Sequence, residues 1–357
     1  MSVVYFVPVS QGEAVTGVQE KVSSLYDAVG FSTLIAKDDL VAIKTHFGEA
    51  GNRHFIDPQY QVPLVTKTLK LGGKPFWTDT NTLYVGNRAN AVDHMLLAHR
   101  HGFTVEATGA PVVIADGIVG RDEVMVAIEG RHSKTVGIAP GVAGANALLV
   151  MAHPTGHLAC GYGGIIKTLG MGLSSRKGKL YQHSVVKPRV KSSLCRGDGT
   201  CVKWCPRKAI SMVDHRAVID QNLCIGCGEC IAVCRPGAVT FQWRIESKLL
   251  QERMAEQAFG VYQNKRGKIG FISYILNVTR DCDCLPSQDG DVVVSSVGVV
   301  ASLDPVAIEH ATIRLIEENL KSSLKDRAYD IDFLPQLAYA EELGMGSSQY
   351  DLIPIQH

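Results

Sequence analysis

The chain has 357 residues, 46% hydrophobic and 20% charged, with a formal net charge of +1. That composition suits a globular protein with one large core and room for a smaller module, and its balanced charge gives no electrostatic case for nucleic-acid or membrane partners. No apolar run approaches the roughly 20 residues of a membrane helix, and the opening Met1-Ser-Val-Val-Tyr-Phe-Val-Pro-Val9 lacks a basic region and reads as a strand, so a cytoplasmic, reducing location is expected.

Leu40 to Thr45 reads as a buried strand, 59–71 as a helix, Pro75 to Thr78 as a strand and 89–101 as a helix. Val112 to Ala115 and Ala147 to Met151 are again strand-like. This alternation predicts an α/β fold, a mostly parallel sheet with helices on both faces. Such sheets bind ligands beyond the carboxyl ends of their strands. Polar residues gather there: Lys44, Thr45, His46 and Glu49 after one strand, Thr78, Asp79, Thr80, Asn81 and Tyr84 after another, His153 and His157 after a third. Singly, such residues are caps and turns; collected, they suggest a site. Gly163, Gly164, Gly170 and Gly172 surround Lys167. Either they let the backbone approach an anion beside that lysine, or they let a helix pack closely. The stretch matches neither a Walker loop nor G-x-G-x-x-G.

Next comes a segment holding seven of the ten cysteines. Cys224, Cys227, Cys230 and Cys234 form C-x2-C-x2-C-x3-C, the bacterial ferredoxin run for a cubane iron–sulfur cluster. Cys195, Cys201 and Cys205 lie 29 residues earlier in a second copy, with Asp198 in place of the remaining cysteine; Gly197 and Gly199 correspond likewise to Gly226 and Gly228. Soft thiolates converging on one small object need a tight, glycine-containing loop that also aims amides at the sulfurs. In two-cluster ferredoxins the last cysteine of each run serves the other cluster. Cluster one is therefore expected on Cys195, Cys201, Cys234 and Asp198, and cluster two on Cys224, Cys227, Cys230 and Cys205. Cluster one is either a 4Fe-4S cluster with an oxygen ligand or a 3Fe-4S cluster. A zinc ribbon lacks this duplicated spacing, and disulfides would need an exported chain.

After it, 245–260 reads as a helix, 268–278 and 291–300 as strands, and 304–320 as a helix with Asp304 at the N-cap and Pro305 at N1. The expected organisation is an α/β domain (1–187 and 244–357) interrupted by a ferredoxin-like α+β module at 188–243. Asp281-Cys282-Asp283-Cys284 completes the set of strand-end groups. Thiols one residue apart point to opposite sides of an extended chain, so a shared site needs a turn, which Leu285-Pro286 offers. The candidates are a metal site of Cys282, Cys284, Cys160 and a histidine, a single nucleophilic or redox thiol, or inert buried cysteines.

His46-Phe-Gly-Glu-Ala-Gly-Asn52, Thr78-Asp-Thr-Asn-Thr-Leu-Tyr-Val-Gly86, Asn90-Ala-Val-Asp-His94, Gly163-Gly-Ile-Ile-Lys-Thr-Leu-Gly-Met-Gly172, Cys282-Asp-Cys284 and Ala301-Ser-Leu-Asp-Pro-Val306 together resemble the domain of unknown function 362 family. The resemblance spans nearly the whole chain and implies an α/β domain with an inserted two-cluster ferredoxin unit. Asp198 departs from it, since members carry a cysteine there.

Two functions follow. In the first, the clusters take single electrons from a redox partner protein and pass them to a small-molecule substrate or second cofactor near Lys44, His46, Asp79, Lys167, Cys282 and Cys284, with Lys167 or His46 as proton donor. In the second, the chain is a non-catalytic electron, cluster or metal carrier, with the α/β domain as docking platform. The roughly 300 residues beyond the cysteine segment favour the enzyme.

Overall fold

The computed structural model describes residues 1–184, 187–241, 246–287 and 289–355. Its centre is an eight-stranded sheet: β1 (Ser2–Pro8), β2 (Leu40–Lys44), β3 (Lys74–Asp79), β4 (Val112–Ile114), β5 (Ala147–Ala152), β6 (Ile269–Ile275), β7 (Gly298–Ser302) and β8 (Tyr350–Pro354), in the spatial order β8-β1-β7-β6-β5-β2-β3-β4. Only β7 runs against the others, pairing antiparallel with both β1 and β6. The mostly parallel α/β expectation therefore holds.

Both faces of the sheet are covered, which explains why β5 and β6 are buried along their whole lengths. Alternate side chains point to opposite faces. Val41, Ile43, Leu149 and Met151 pack with Val22 and Leu25 of one helix (Val15–Val29) and Leu64 of another (Pro58–Lys70). Ala42, Leu148, Val150 and Phe271 pack with Met254 and Ala258 (helix Ser247–Asn264) and Ile308 (helix Pro305–Leu320). Helix starts are where the capping residues put them: Asp57 accepts from Gln59 N–H, Asn90 from Asp93 N–H, and Asp304 from the amides of Val306 and Ala307. Among the described residues no helix is long and apolar enough to cross a membrane.

Two expected strands are each split. The one expected over 268–278 ends at Ile275, because Asn277 is left-handed (φ 48°); Val278–Thr279 then pairs with Val292–Val294 in a separate ribbon. The one expected over 291–300 is divided between that ribbon and β7. The chain thus leaves the sheet between Ile275 and Gly298, lifting Asp281 to Cys284 above the strand ends.

In the cysteine-bearing segment Arg189–Val190 pairs antiparallel with Val239–Thr240, and Ile210–Val213 forms a hairpin with Arg216–Ile219. Its small core of Ile210, Ala217, Ile231 and Val239 also includes Leu83 and Leu180 from the α/β part. The expected boundary at 243/244 and the expected helix start at 245 lie outside the described residues; the helix itself is Ser247–Asn264.

Glu309 is fully buried on its helix, where its carboxylate accepts from Tyr162 Oη (2.5 Å) and Ile166 N–H (2.9 Å). Burial pushes its carboxyl from the ordinary 4.5 up to about 7. A raised carboxyl contributes stability that is present below pH 4.5 and lost as pH rises through 7, on the order of 3 kcal/mol. Glu309→Gln is expected to flatten the pH dependence of the urea midpoint across that window and to exceed the parent in stability at about pH 8. An unchanged slope would show that Glu309 is not its source.

Candidate functional site

The two copies of the cysteine pattern share one backbone. Gly197 and Gly226 are left-handed (φ 73° and 68°), as are Gly199 and Gly228 (66° and 75°), and the latter two open the short helices Thr200–Trp204 and Glu229–Ala232. Two hollows lie beside them. One is lined by Cys205, Cys224, Cys227 and Cys230. The other is lined by Cys195, Asp198, Cys201 and Cys234. Each run's last cysteine therefore faces the hollow of the other run. Amides aim at the sulfurs: Ala217 N–H at Cys195 (3.4 Å), Ala209 N–H at Cys205 (3.2 Å) and Val239 N–H at Cys234 (3.3 Å). Asp198 Oδ1 accepts from Thr200 N–H at 2.9 Å, and the Cys227 sulfur accepts from Glu229 N–H, the equivalent contact in the second copy. Among the described residues no three His, Cys, Asp or Glu side chains meet at a point that would hold one metal ion; the sulfurs ring hollows instead.

At the strand ends a second constellation gathers around Cys284. Leu285 N–H donates to Cys282 carbonyl at 3.0 Å, closing a turn that brings both thiols to one side. The neighbouring Cys282 thiol, with the charges of Lys167, His46 and Arg88, holds the Cys284 thiol well below its ordinary range against the desolvation that opposes it; Cys284 and burial hold Cys282 well above its own. His46 Nδ1 accepts from Gly48 N–H at 3.0 Å, and its Nε2 stands 2.9 Å from Arg88 Nη1 and 3.4 Å from Cys284 Sγ. Lys167 lies near Cys282, Cys284, Cys160 and Asp283; burial disfavours its charge, but these groups keep it protonated above its ordinary value. His153, buried, holds Asp283 at 3.0 Å through Nδ1 and the Leu276 carbonyl at 2.9 Å through Nε2.

Arg88, absent from the sequence-derived candidates, ties these groups together. Its guanidinium lies 3.2 Å from Glu49 Oε2, 2.9 Å from His46 Nε2, 2.6 Å from Tyr84 Oη and 3.7 Å from Asp79 Oδ2. Tyr84 Oη in turn donates to the Cys284 carbonyl at 3.2 Å. Lys44 and Asp79 form a buried pair at 3.1 Å, in which burial is outweighed by Lys44 and its neighbours, bringing Asp79 down to about 2. A lone arginine between a strand end and the N-cap Asn90 was the available signal for Arg88. His94, also missed, is buried 3.8 Å from Asp79 and held well below its ordinary value by burial.

Other candidates have structural uses. Thr78 donates to Val113 carbonyl, Thr80 to Gly172 carbonyl, and Asn81 binds Asp116. Cys160 contacts His157 Nδ1 at 3.1 Å, and burial pushes its thiol up to about 12. It is an inert thiol at neutral pH, and the mixed cysteine–histidine metal site is absent among the described residues. Of the glycines around Lys167, Gly170 serves close helix packing, since a Cβ there would come within 2.3 Å of Met254 carbonyl, whereas a Cβ on Gly163 would meet the Lys167 side chain itself at 2.5 Å. Glu309 already occupies the amide end of the short helix Ile165–Gly170.

The two constellations touch. A Cβ on Gly228, which lines the first hollow, would stand 2.6 Å from Leu83 Cδ1, and Leu83 immediately precedes Tyr84. Arg176, fully buried beneath, donates from Nε to Thr82 carbonyl at 3.0 Å. Arg121 Nε meets Glu229 Oε1 at 2.5 Å across the same junction.

A family model described as "Domain of unknown function (DUF362)" matches residues 41–314. The chain belongs to this family. The DUF362 span contains both hollows and the Cys284 turn. A component of the ion-translocating oxidoreductase complex of Methanosarcina acetivorans is 48% identical over 45 residues, 13% of this chain and 17% of that protein, so the chain spans under a fifth of that relative. The lactate racemase apoprotein from Thermoanaerobacterium thermosaccharolyticum superposes with a TM-score of 0.41 at 11% identity, covering 84% of this chain and 54% of that one.

Arg88→Lys keeps a charge but loses the planar fork that reaches Glu49, His46 and Tyr84 together. It is expected to lower unfolding free energy by roughly 3 kcal/mol, as breaking a buried ion network does, read by chemical denaturation. A change under about 0.5 kcal/mol, the size of an ordinary surface substitution, would show that the fork is dispensable.

Proposed function

We propose that this DUF362 protein is an iron–sulfur oxidoreductase in which two ferredoxin-type clusters relay single electrons to a substrate at the strand ends of the α/β domain. The observation that carries this reading is the division of seven cysteines and Asp198 between two hollows. Soft sulfur donors spread around a volume, with amides aimed at them, suit a cluster of several irons better than one ion. Cys224, Cys227, Cys230 and Cys205 would hold one cluster; Cys195, Cys201, Cys234 and Asp198 would hold the other. Because Asp198 accepts the backbone hydrogen bond that Cys227 accepts in its own copy, we assign it as the fourth ligand of a four-iron cluster. When bound, such clusters accept and release one electron at a time.

The chain's own residues supply the remainder. The contact of Gly228 with Leu83, next to Tyr84 on the Cys284 carbonyl, supports a short path from the first hollow to the strand-end site. Lys167, held protonated, supplies a fixed positive charge rather than a mobile proton. His46, whose Nε2 stands 3.4 Å from the Cys284 sulfur, is the proton donor in this reading. The short match to part of an ion-translocating oxidoreductase complex agrees with electron transfer as the class of chemistry. A redox protein is the expected electron source.

Iron content and electron paramagnetic resonance of protein purified without oxygen test the assignment. Expected are about eight irons per chain with a signal only on reduction, in the parent and in Asp198→Cys alike. About seven irons and a signal in the oxidised parent, reverting in Asp198→Cys, would remove Asp198 as a ligand. Zinc in place of iron would end the electron-transfer reading.

A further inference from the structure

We propose that Cys282 and Cys284 form a dithiol–disulfide couple that collects two electrons and reduces a disulfide-containing substrate. The inference rests on the electron-relay reading for its electron source, and on its own geometry for its chemistry. A turn at Cys282–Leu285 closes what would otherwise be an extended step. Two extended residues span roughly 6.6–7.2 Å, whereas a disulfide needs Cα atoms about 4.4–6.8 Å apart. Both sulfurs lie within reach of the same charge, Lys167.

The thiols are unequal in the way a reducing pair requires. Cys284 is partly exposed and Cys282 is buried. His46 Nε2 stands 3.4 Å from the Cys284 sulfur, with Arg88 bridging His46 and Tyr84. These positive and donor groups favour a thiolate at the accessible position. Cys282 stays a thiol and waits behind it. Cys160 is no rival partner, since its sulfur is occupied by His157 Nδ1 and the Tyr162 carbonyl.

The steps balance. The Cys284 thiolate attacks one sulfur of the substrate disulfide, breaking that bond, forming a mixed disulfide and releasing one thiolate, which takes a proton from solvent. Cys282 loses its proton and attacks the Cys284 sulfur, forming the internal disulfide and releasing the second substrate thiol. Two electrons, which loaded clusters would supply singly, then break the Cys282–Cys284 bond. One proton from solvent returns to Cys282, and Cys284 is left as the thiolate. In sum the substrate disulfide gains two electrons and two protons. The couple thereby joins a one-electron source to a two-electron reaction.

The probe is oxidised glutathione, added without oxygen to iron-loaded protein, with the 282–284 peptide read by mass after acid quenching and alkylation. In the parent, the peptide is expected to lose two hydrogens and carry no adduct. Cys282→Ser is expected to hold one glutathione on Cys284, because nothing resolves it, while Cys284→Ser carries at least about ten-fold less. Cys160→Ser behaves as the parent. Photoreduced deazaflavin given to the oxidised parent should then restore both thiols to alkylation. A parent peptide that keeps two alkylated thiols, or a Cys282→Ser variant without adduct, overturns the couple. Oxidised thiols that stay oxidised while the cluster signal shows reduction overturn the link to the relay. Iron measured on the same sample separates the two claims: a chain without iron sinks the relay, and the glutathione result still decides the couple.

Discussion

A guanidinium taken out of water must be met by acceptors on every side, and Arg88 is met by groups at two separate strand ends, Glu49 and His46 after β2, and Asp79 at the end of β3 with Tyr84 after it. Tyr84 extends the network to a third loop through the Cys284 carbonyl. The parallel strands bring these loops to one edge of the sheet, and the buried charge fixes their separation. A lysine could supply the same charge but not the same geometry. The surroundings of Cys284 are therefore a by-product of neutralising one cation: His46 and Tyr84, which meet Arg88, also contact Cys284.

The same loop between β3 and the helix Ala91–Arg100 faces two ways. Its inner side carries Tyr84 and Arg88 toward Cys284. Its outer side presents Leu83 to the core of the cysteine-bearing segment, and Arg176 holds it from below through the Thr82 carbonyl. Leu83 and Tyr84 are consecutive and both are packed, one toward each side. Gly228 permits this closeness; with a side chain there the segment would ride higher on the loop.

Much of this architecture could be read from the sequence because it is local. Caps at Asp57, Asn90 and Asp304 act within three residues, and the duplicated spacing of the cysteines is a property of one short stretch. Strand order is not local: nothing in the periodicity of β7 says that it runs antiparallel between β1 and β6, and the short, proline-ended β8 gave no signal of its partnership with β1. Arg88 escaped notice for the same reason, since its partners Glu49 and Asp79 are distant in the chain. At Cys282 and Cys284 the alternation rule predicts opposite faces unless a turn intervenes, and the Leu285 amide makes that turn. Asp198 read as a missing thiolate; its bond to Thr200 N–H occupies the place that the thiolate has in the other copy.

The ribbon between Arg189–Val190 and Val239–Thr240 puts the start and finish of the cysteine-bearing segment side by side. A stretch whose two ends already touch places little demand on the geometry of what surrounds it. Everything between Val190 and Val239 could be lengthened, shortened or exchanged for another closed unit while the strands of the sheet kept their register. The cost of such an exchange falls on the few residues of the β3 loop that the segment covers. In evolutionary terms the cysteine-bearing segment and the α/β domain are separable inheritances, able to change at different rates while meeting at Leu83.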